Sequence, residues 1–314
     1  MAPSTAERTS PTGTHHVISG PTRFGFATVT IAEVAAALRA FEVDGLDIVQ
    51  RYPDNAPPSL GAGMVMAPWP NRIDAGRWLY EGEAQQLAIT EPKSNNALHG
   101  LLAYSPYAVE SRTESSITLT ATIFANPGYP FVVRTSVGYS IGSEGLTVRH
   151  TATNAGAKPA PVAFGTHPYF RIGDVPTADL TLTCSAKTIY TTDARLLPTG
   201  QREVAAEFDL RAGRRVGDLQ LDDCYTDLAI ADGRHHISLS AQDGRKVEIW
   251  TDPDFGHVVL LTTDQFIDET GRPALAVAIE PQTAAVDCLN NGRGLKWLLP
   301  GESWSPEWGV TAQL

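Results

Sequence analysis

From about residue 105 apolar and polar residues begin to alternate clearly with a period of two. Ile117, Leu119, Ala121 and Ile123 are interleaved with Thr118, Thr120 and Thr122; Phe131, Val133, Val137 and Tyr139 follow. Leu146, Val148 and Ala152 resume the pattern after the turn Gly142-Ser143-Glu144-Gly145. A period of two sends successive side chains to opposite faces, which predicts antiparallel strands with one face buried. Further strands are predicted over Thr226 to Ala231, His236 to Ala241, Arg245 to Thr251, His257 to Thr262 and Ala274 to Glu280, divided by Asp-Gly, Gln-Asp-Gly and Asp-Pro turns. Ala32 to Val43 has helical propensity, yet it lies between strand-like runs and ends in the hairpin signal Asp44-Gly45, so it too is expected to be strand. No long stretch carries an amphipathic helix. Many short strands punctuated by Gly and Pro predict an all-β fold, a large antiparallel β-sandwich.

Residues 1 to about 14 are rich in Ser, Thr and Pro and are expected to form a disordered tail. From 15 to 314 no linker-like shift in composition divides the chain, which predicts a single domain. The segment from about 51 to 100 breaks the strand rhythm with Pro53, Pro57, Pro58, Pro68 and Pro70. An irregular loop of that length inside a compact domain points to function. The balance of 24 basic against 35 acidic residues, without a basic run, disfavours nucleic acid and anionic membranes as partners. No segment approaches the roughly 18 apolar residues of a membrane-spanning helix, and the N-terminus lacks a secretory signal pattern, so a cytoplasmic protein is expected. Cys184, Cys224 and Cys288 are odd in number and widely spaced, as buried free thiols would be, and neither they nor the eight histidines show metal-ligand spacing. His235 and His236 are expected on alternate faces of a hairpin, and His150, in line with Leu146 and Val148, in the core.

Several stretches carry possible chemistry. The apolar run Ala274 to Ile279 closes on Glu280, and Pro281 biases that carboxylate towards an extended backbone and is expected to end regular pairing. His167 also precedes a proline, within Ala163-Phe164-Gly165-Thr166-His167-Pro168-Tyr169-Phe170. The long loop holds Pro68-Trp69-Pro70-Asn71-Arg72-Ile73 and Asn95-Asn96-Ala97-Leu98-His99-Gly100. Arg72 offers a planar fork of donors, and His99 stands beside a glycine that leaves room for a ligand. Leu221-Asp222-Asp223-Cys224-Tyr225-Thr226 places two acids at a strand start, where turn formation alone would also explain them.

In combination these stretches resemble the aldose 1-epimerase (galactose mutarotase) family. Pro-x-Pro-Asn71-Arg72-Ile73, Asn96 to Gly100, Thr166 to Phe170, Asp222-x-x-Tyr225 and Glu280-Pro281-x-Thr283 occur in the order in which that family carries them, and the resemblance spans about residues 17 to 312. It implies a galactose mutarotase-like supersandwich and cofactor-free interconversion of the α and β anomers of a free aldohexose. It also implies Glu280 as general base, His167 as general acid, and Arg72, His99, Asp222 and Asn71 as groups that bind the monosaccharide. Two departures bear on which sugar fits: Arg171 stands where the family often has Asn, and Asp223 where it often has His.

Two other functions remain open on the sequence. Asp222 and Glu280 could form the carboxylate pair of a glycoside hydrolase. Alternatively, Trp69, Trp78, Trp250, Trp297, Trp304 and Trp308 could supply stacking platforms to a non-catalytic carbohydrate-binding protein. Whether the chain is a monomer or a homodimer is not legible.

Overall fold

In this computed structural model residues 10–314 are described, so the expected tail lies outside the described residues as far as residue 9. Its remainder is anchored. Thr12 is buried with its hydroxyl 2.7 Å from His15 Nε2, and the Thr14 amide donates to Glu33 Oε2 at 2.9 Å.

Three sheets make up most of the molecule. A four-stranded meander runs through His15–Thr22, Gly25–Ala32, Leu38–Val43 and Leu46–Asp47. A ten-stranded sheet contains the alternating segments read above: Ser116–Ile123, Val133–Gly142 and Gly145–Asn154 are neighbours, followed by Glu307–Gln313, Lys246–Thr251 and His235–Ser240. An eight-stranded sheet orders Pro198–Glu203, Thr188–Thr192, Asp222–Thr226, His257–Ile267, Pro273–Gln282, Gly165–Thr166 and Val65–Met66, with Tyr169–Phe170 also paired to Pro273–Gln282. The two large sheets share one apolar cluster: Val137, Leu146, Ile249 and Val310 from the first, and Tyr225, Leu260, Val277 and Ile279 from the second. The ladders are antiparallel, as the period of two predicts, and the all-β sandwich expected from the sequence is the fold observed.

The structure departs from the sequence reading at identifiable turns. Ala32 to Val43 is not one strand. Ala35 and Ala36 take left-handed φ of 60° and 45°, turning the chain between Gly25–Ala32 and Leu38–Val43. Their small side chains allow this turn to be buried. The strand expected over Thr226 to Ala231 instead ends at Thr226, because Asp227 at φ 55° reverses the chain. Conversely, Pro281 does not end pairing: the strand continues to Gln282, with Pro281 opposite Val258. The segment 51–100 contains paired short strands, among them Arg72–Asp74 with Asn96–Leu98 and Arg77–Tyr80 with Glu83–Gln86.

His150 is a core residue, as expected, and accepts a hydrogen bond of 3.0 Å from Trp308 Nε1. His235 is buried while His236, on the other face, lies 3.2 Å from Glu248 Oε1. Cys184, Cys224 and Cys288 are buried free thiols. Among the described residues no helix is long and apolar enough to cross a membrane.

Burial lowers His150 from 6.5 to about 3 and His257 from 6.5 to about 4. Below pH 6.5 the unfolded chain therefore binds protons that the folded chain refuses, and stability is lost as pH falls towards these depressed values. Urea melts should show it declining by up to about 1.4 kcal/mol per pH unit for each such histidine. His150→Gln should flatten that slope, at the price of lower stability near neutral pH.

Candidate active site

Strand alternation decides where the ionisable groups of the eight-stranded sheet go. On one face Tyr225, Val258, Leu260, Val277 and Ile279 enter the main core. On the other, Tyr190, Cys224 and Val259 form one small cluster, and Tyr52, Ala62, Tyr169, Phe266, Ala276 and Ala278 another. Glu280 is paired with Val259 and Asp222 with Leu261, so both carboxylates project from this second face, between and beside the small clusters. Glu280 is only 2% exposed.

His167 enters from the strand pair that flanks Glu280. Its backbone is fixed at both ends, its amide donating to Met64 O at 3.1 Å and its carbonyl accepting from Gly63 N at 2.9 Å. The imidazole is 5% exposed and stacks on Tyr169, with ring centroids 5.2 Å apart and planes at 22°. Its Nε2 lies 3.3 Å from Glu280 Oε1, while Gln282 Nε2 donates to the other carboxylate oxygen at 3.2 Å. Burial, reinforced by the negative charge of Asp222, pushes the Glu280 carboxyl well above its ordinary value. Burial likewise pulls His167 down to about 4. Each group resists carrying charge alone, and a proton shared between the two relieves both.

Arg72 opens, and His99 directly follows, a two-stranded ribbon formed by Arg72–Asp74 and Asn96–Leu98. Just beyond its ends Asn71 and His99 take left-handed φ of 55° and 61°, and His99 N donates to Asn71 O at 2.9 Å. Such conformations cost about 1 to 3 kcal/mol each in non-glycine residues and persist where surrounding contacts enforce them. The His99 ring meets that of His167 edge to face, with centroids 5.5 Å apart. Burial, with His167 and Arg72 nearby, lowers its pKa well below 6.5, so the ring is neutral. Asp222 stays exposed, yet the walls around it raise its carboxyl despite the opposing charge of Arg72. It borders an open cavity of about 510 Å³ that is lined on its other sides by Gln220, Thr262, Asp264 and Leu275 rather than by Glu280, His167, His99 or Arg72.

The structure thus brings Glu280, His167 and His99 into one site with Arg72 and Asp222 alongside. Asn71 is placed differently: its buried side-chain carbonyl accepts from Arg72 N at 2.9 Å and from Arg72 Nη1 at 3.2 Å. It holds Arg72. Three contributors carry no role in the sequence reading. Glu91 grips Arg72 side-on, Nε at 3.0 Å and Nη2 at 3.0 Å; Tyr169 supports His167; Gln282 fixes Glu280. Tyr169 and Gln282 lie inside the motif stretches and so were within reach of the sequence, whereas the Glu91 contact spans 19 residues with no local pattern. Of the two departures, Asp223 is paired with Leu260, on the core side, and Arg171 Nε donates to Gly173 O at 3.0 Å.

The large antiparallel β-sandwich is that of galactose mutarotase-like proteins, and similar solved structures bear out the fold. A GalM/aldose epimerase homologue from Caenorhabditis elegans has a TM-score of 0.82 at 19% identity, covering 95% of this chain and 99% of its own. A galactose 1-epimerase from Lactobacillus acidophilus has a TM-score of 0.77 at 20% identity, covering 98% of both chains. The family described as aldose 1-epimerase matches residues 22–310, and the chain belongs to that family. Among curated relatives, the uncharacterized protein YihR of Escherichia coli K12 is 30% identical over 282 residues, 87% of this chain and 86% of its own.

Gly100, which ends the His99 turn, has φ +79°, and a Cβ there would meet Ala67 O at 2.1 Å. Gly100→Ala should therefore cost at least about 1 to 3 kcal/mol from backbone strain alone. Chemical denaturation checks this, and a variant as stable as its parent would show that the 67–100 contact yields.

Proposed function

We propose that the protein is an aldose 1-epimerase interconverting the α and β anomers of a free aldohexose, with Glu280 and His167 as the acid-base pair. The 3.3 Å separation of Glu280 Oε1 and His167 Nε2 carries this reading. Opening the ring removes a proton from the C1 hydroxyl and adds one to the ring oxygen. Both oxygens are bonded to the same carbon, so an acid and a base standing side by side can reach both. A pair sharing one proton is suited to the task. In the form with the shared proton on His167, the imidazolium donates to the ring oxygen as the Glu280 carboxylate takes the hydroxyl proton; the aldehyde rotates; the two groups then act in reverse as the ring closes on either face. No cofactor is required by these steps.

Arg72, His99 and Asp222 would hold the sugar. Of the five N–H groups of a guanidinium, Arg72 commits three, two to Glu91 and one to Asn71, leaving one on Nη1 and one on Nη2. Those two form a fork that suits neighbouring hydroxyls. Asp222 complements it as an acceptor. Because Glu91 offsets the charge of Arg72 and further carboxylates surround it, a neutral sugar fits this site better than a phosphorylated one.

The glycoside hydrolase alternative is less well supported. It needs two carboxyls about 5 to 9.5 Å apart across the scissile bond and gives the imidazole against Glu280 no task. The lectin-like alternative is weakened because Trp69, Trp78 and Trp308 are core residues, and the exposed Trp297 is stacked on Tyr80 at 6.1 Å.

Polarimetry or NMR on freshly dissolved anomerically pure glucose, galactose and other hexoses should show accelerated mutarotation, whereas release of aglycone from aryl glycosides would favour the hydrolase. Glu280→Gln should slow the reaction at least about 10²-fold with an unchanged fold, His167→Asn should behave similarly, and a near-normal rate in either would remove that residue from the chemistry. The pH profile of kcat/KM should be bell-shaped. Its acid limb should fall near about pH 4, where the pair gains a second proton, and its alkaline limb well above the ordinary carboxyl value, where the pair gives up the shared one. A profile flat across both ranges would uncouple the rate from this pair.

A further inference from the structure

A single arginine outside the motif stretches ties the two sides of the site together. Arg195 lies in the turn between Thr188–Thr192 and Pro198–Glu203, which belong to the same sheet as Asp222 and Glu280. The turn is shaped by Asp193 Oδ1, which accepts from Arg195 N at 2.8 Å and Leu197 N at 3.0 Å. From there the guanidinium reaches the ribbon that carries Arg72 and His99. Nε donates to Ser94 O at 2.8 Å, and Nη2 donates to Asn95 O at 3.0 Å and Asn96 Oδ1 at 2.8 Å. Nη1 lies 2.8 Å from Asp74 Oδ1. Asp74 and Asn96 are a directly paired position of the ribbon, so Arg195 clasps both strands at once.

The clasp continues inward. Asn96, fully buried, donates through Nδ2 to Glu91 Oε2 at 3.0 Å, and Glu91 in turn holds Arg72 through two parallel hydrogen bonds. We infer that Arg195 is a positioning residue for sugar recognition: through Asn96 and Glu91 it fixes the direction of the Arg72 fork and the seat of His99 relative to the sheet that carries Glu280. This rests on the epimerase reading for its kinetic consequence but not for its structural one. Arg195 touches neither of the groups that exchange protons, so its loss acts on binding rather than on the chemical step. Planar, multidentate geometry is needed, since one lysine nitrogen cannot reach two side chains and two carbonyls in fixed directions.

The test compares wild type with Arg195→Met and Arg195→Lys, with Arg211→Met as a control that removes an exposed arginine hydrogen-bonded to Asp209. Amide hydrogen exchange in residues 94–99 should accelerate at least about 10-fold in Arg195→Met, with Pro273–Gln282 unchanged. On the best aldose found for the wild type, KM should rise about 10-fold while kcat stays within about 3-fold, and Arg195→Lys should recover only part of the loss. Arg211→Met should match wild type. Unchanged exchange in residues 94–99 overturns the inference, as does an unchanged KM accompanied only by a lower melting temperature. If the wild type turns over no aldose, the epimerase reading has failed, and the exchange result still decides whether Arg195 positions the ribbon.

Discussion

The rest of the site depends on one buried contact between a carboxylate and an imidazole. Neither Glu280 nor His167 can ionise freely where it stands, because the strand that supplies Glu280 gives every other side chain to the core and the opposite face is sealed by two small apolar clusters. Isolated buried charges are expensive, and two groups of opposite character placed together lower that expense by sharing a proton. The contact is therefore a consequence of packing as much as of chemistry. Tyr169 beneath the imidazole and Gln282 beside the carboxylate restrict both partners further.

Around this centre the fold divides labour. The eight-stranded sheet presents Glu280 and Asp222 on strands whose other face is core, so their positions are as firm as the core itself. Arg72 and His99 come from a ribbon of two three-residue strands, far too small to be stable alone. Its geometry is borrowed from outside: from Gly100 passing against Ala67, from left-handed Asn71 and His99, and from the hydrogen bonds of Asp287, whose amide donates to Arg72 O at 2.8 Å and whose Oδ1 accepts from Asp74 N at 3.0 Å.

Much of the fold was legible because strand alternation is a local signal. The runs around Ile117, Val137 and Val148 were readable for that reason, and so was the burial of His150. The errors fall where one residue overrides its neighbours' propensity: Ala35 and Ala36 turning left-handed, Asp227 closing a strand early, Pro281 sitting in a ladder where its missing N–H does no harm. The motif stretches named the residues that meet at the site, yet no pattern along the chain could show that His167 and Glu280 touch across 113 positions. Glu91 and Arg195 were invisible for a related reason. Their work is done by side-chain reach between segments, and a lone glutamate or arginine in a loop looks the same whether or not it has a partner.

The ion pair of Glu91 with Arg72 has a further consequence. A guanidinium with no acidic partner would ordinarily draw any passing anion, and its grip would fade as salt is added. Here the charge is answered by a partly buried carboxylate, so what Arg72 still offers is direction more than charge. If a sugar binds as proposed, it would be selected by where its oxygens point, and its affinity should be nearly indifferent to ionic strength.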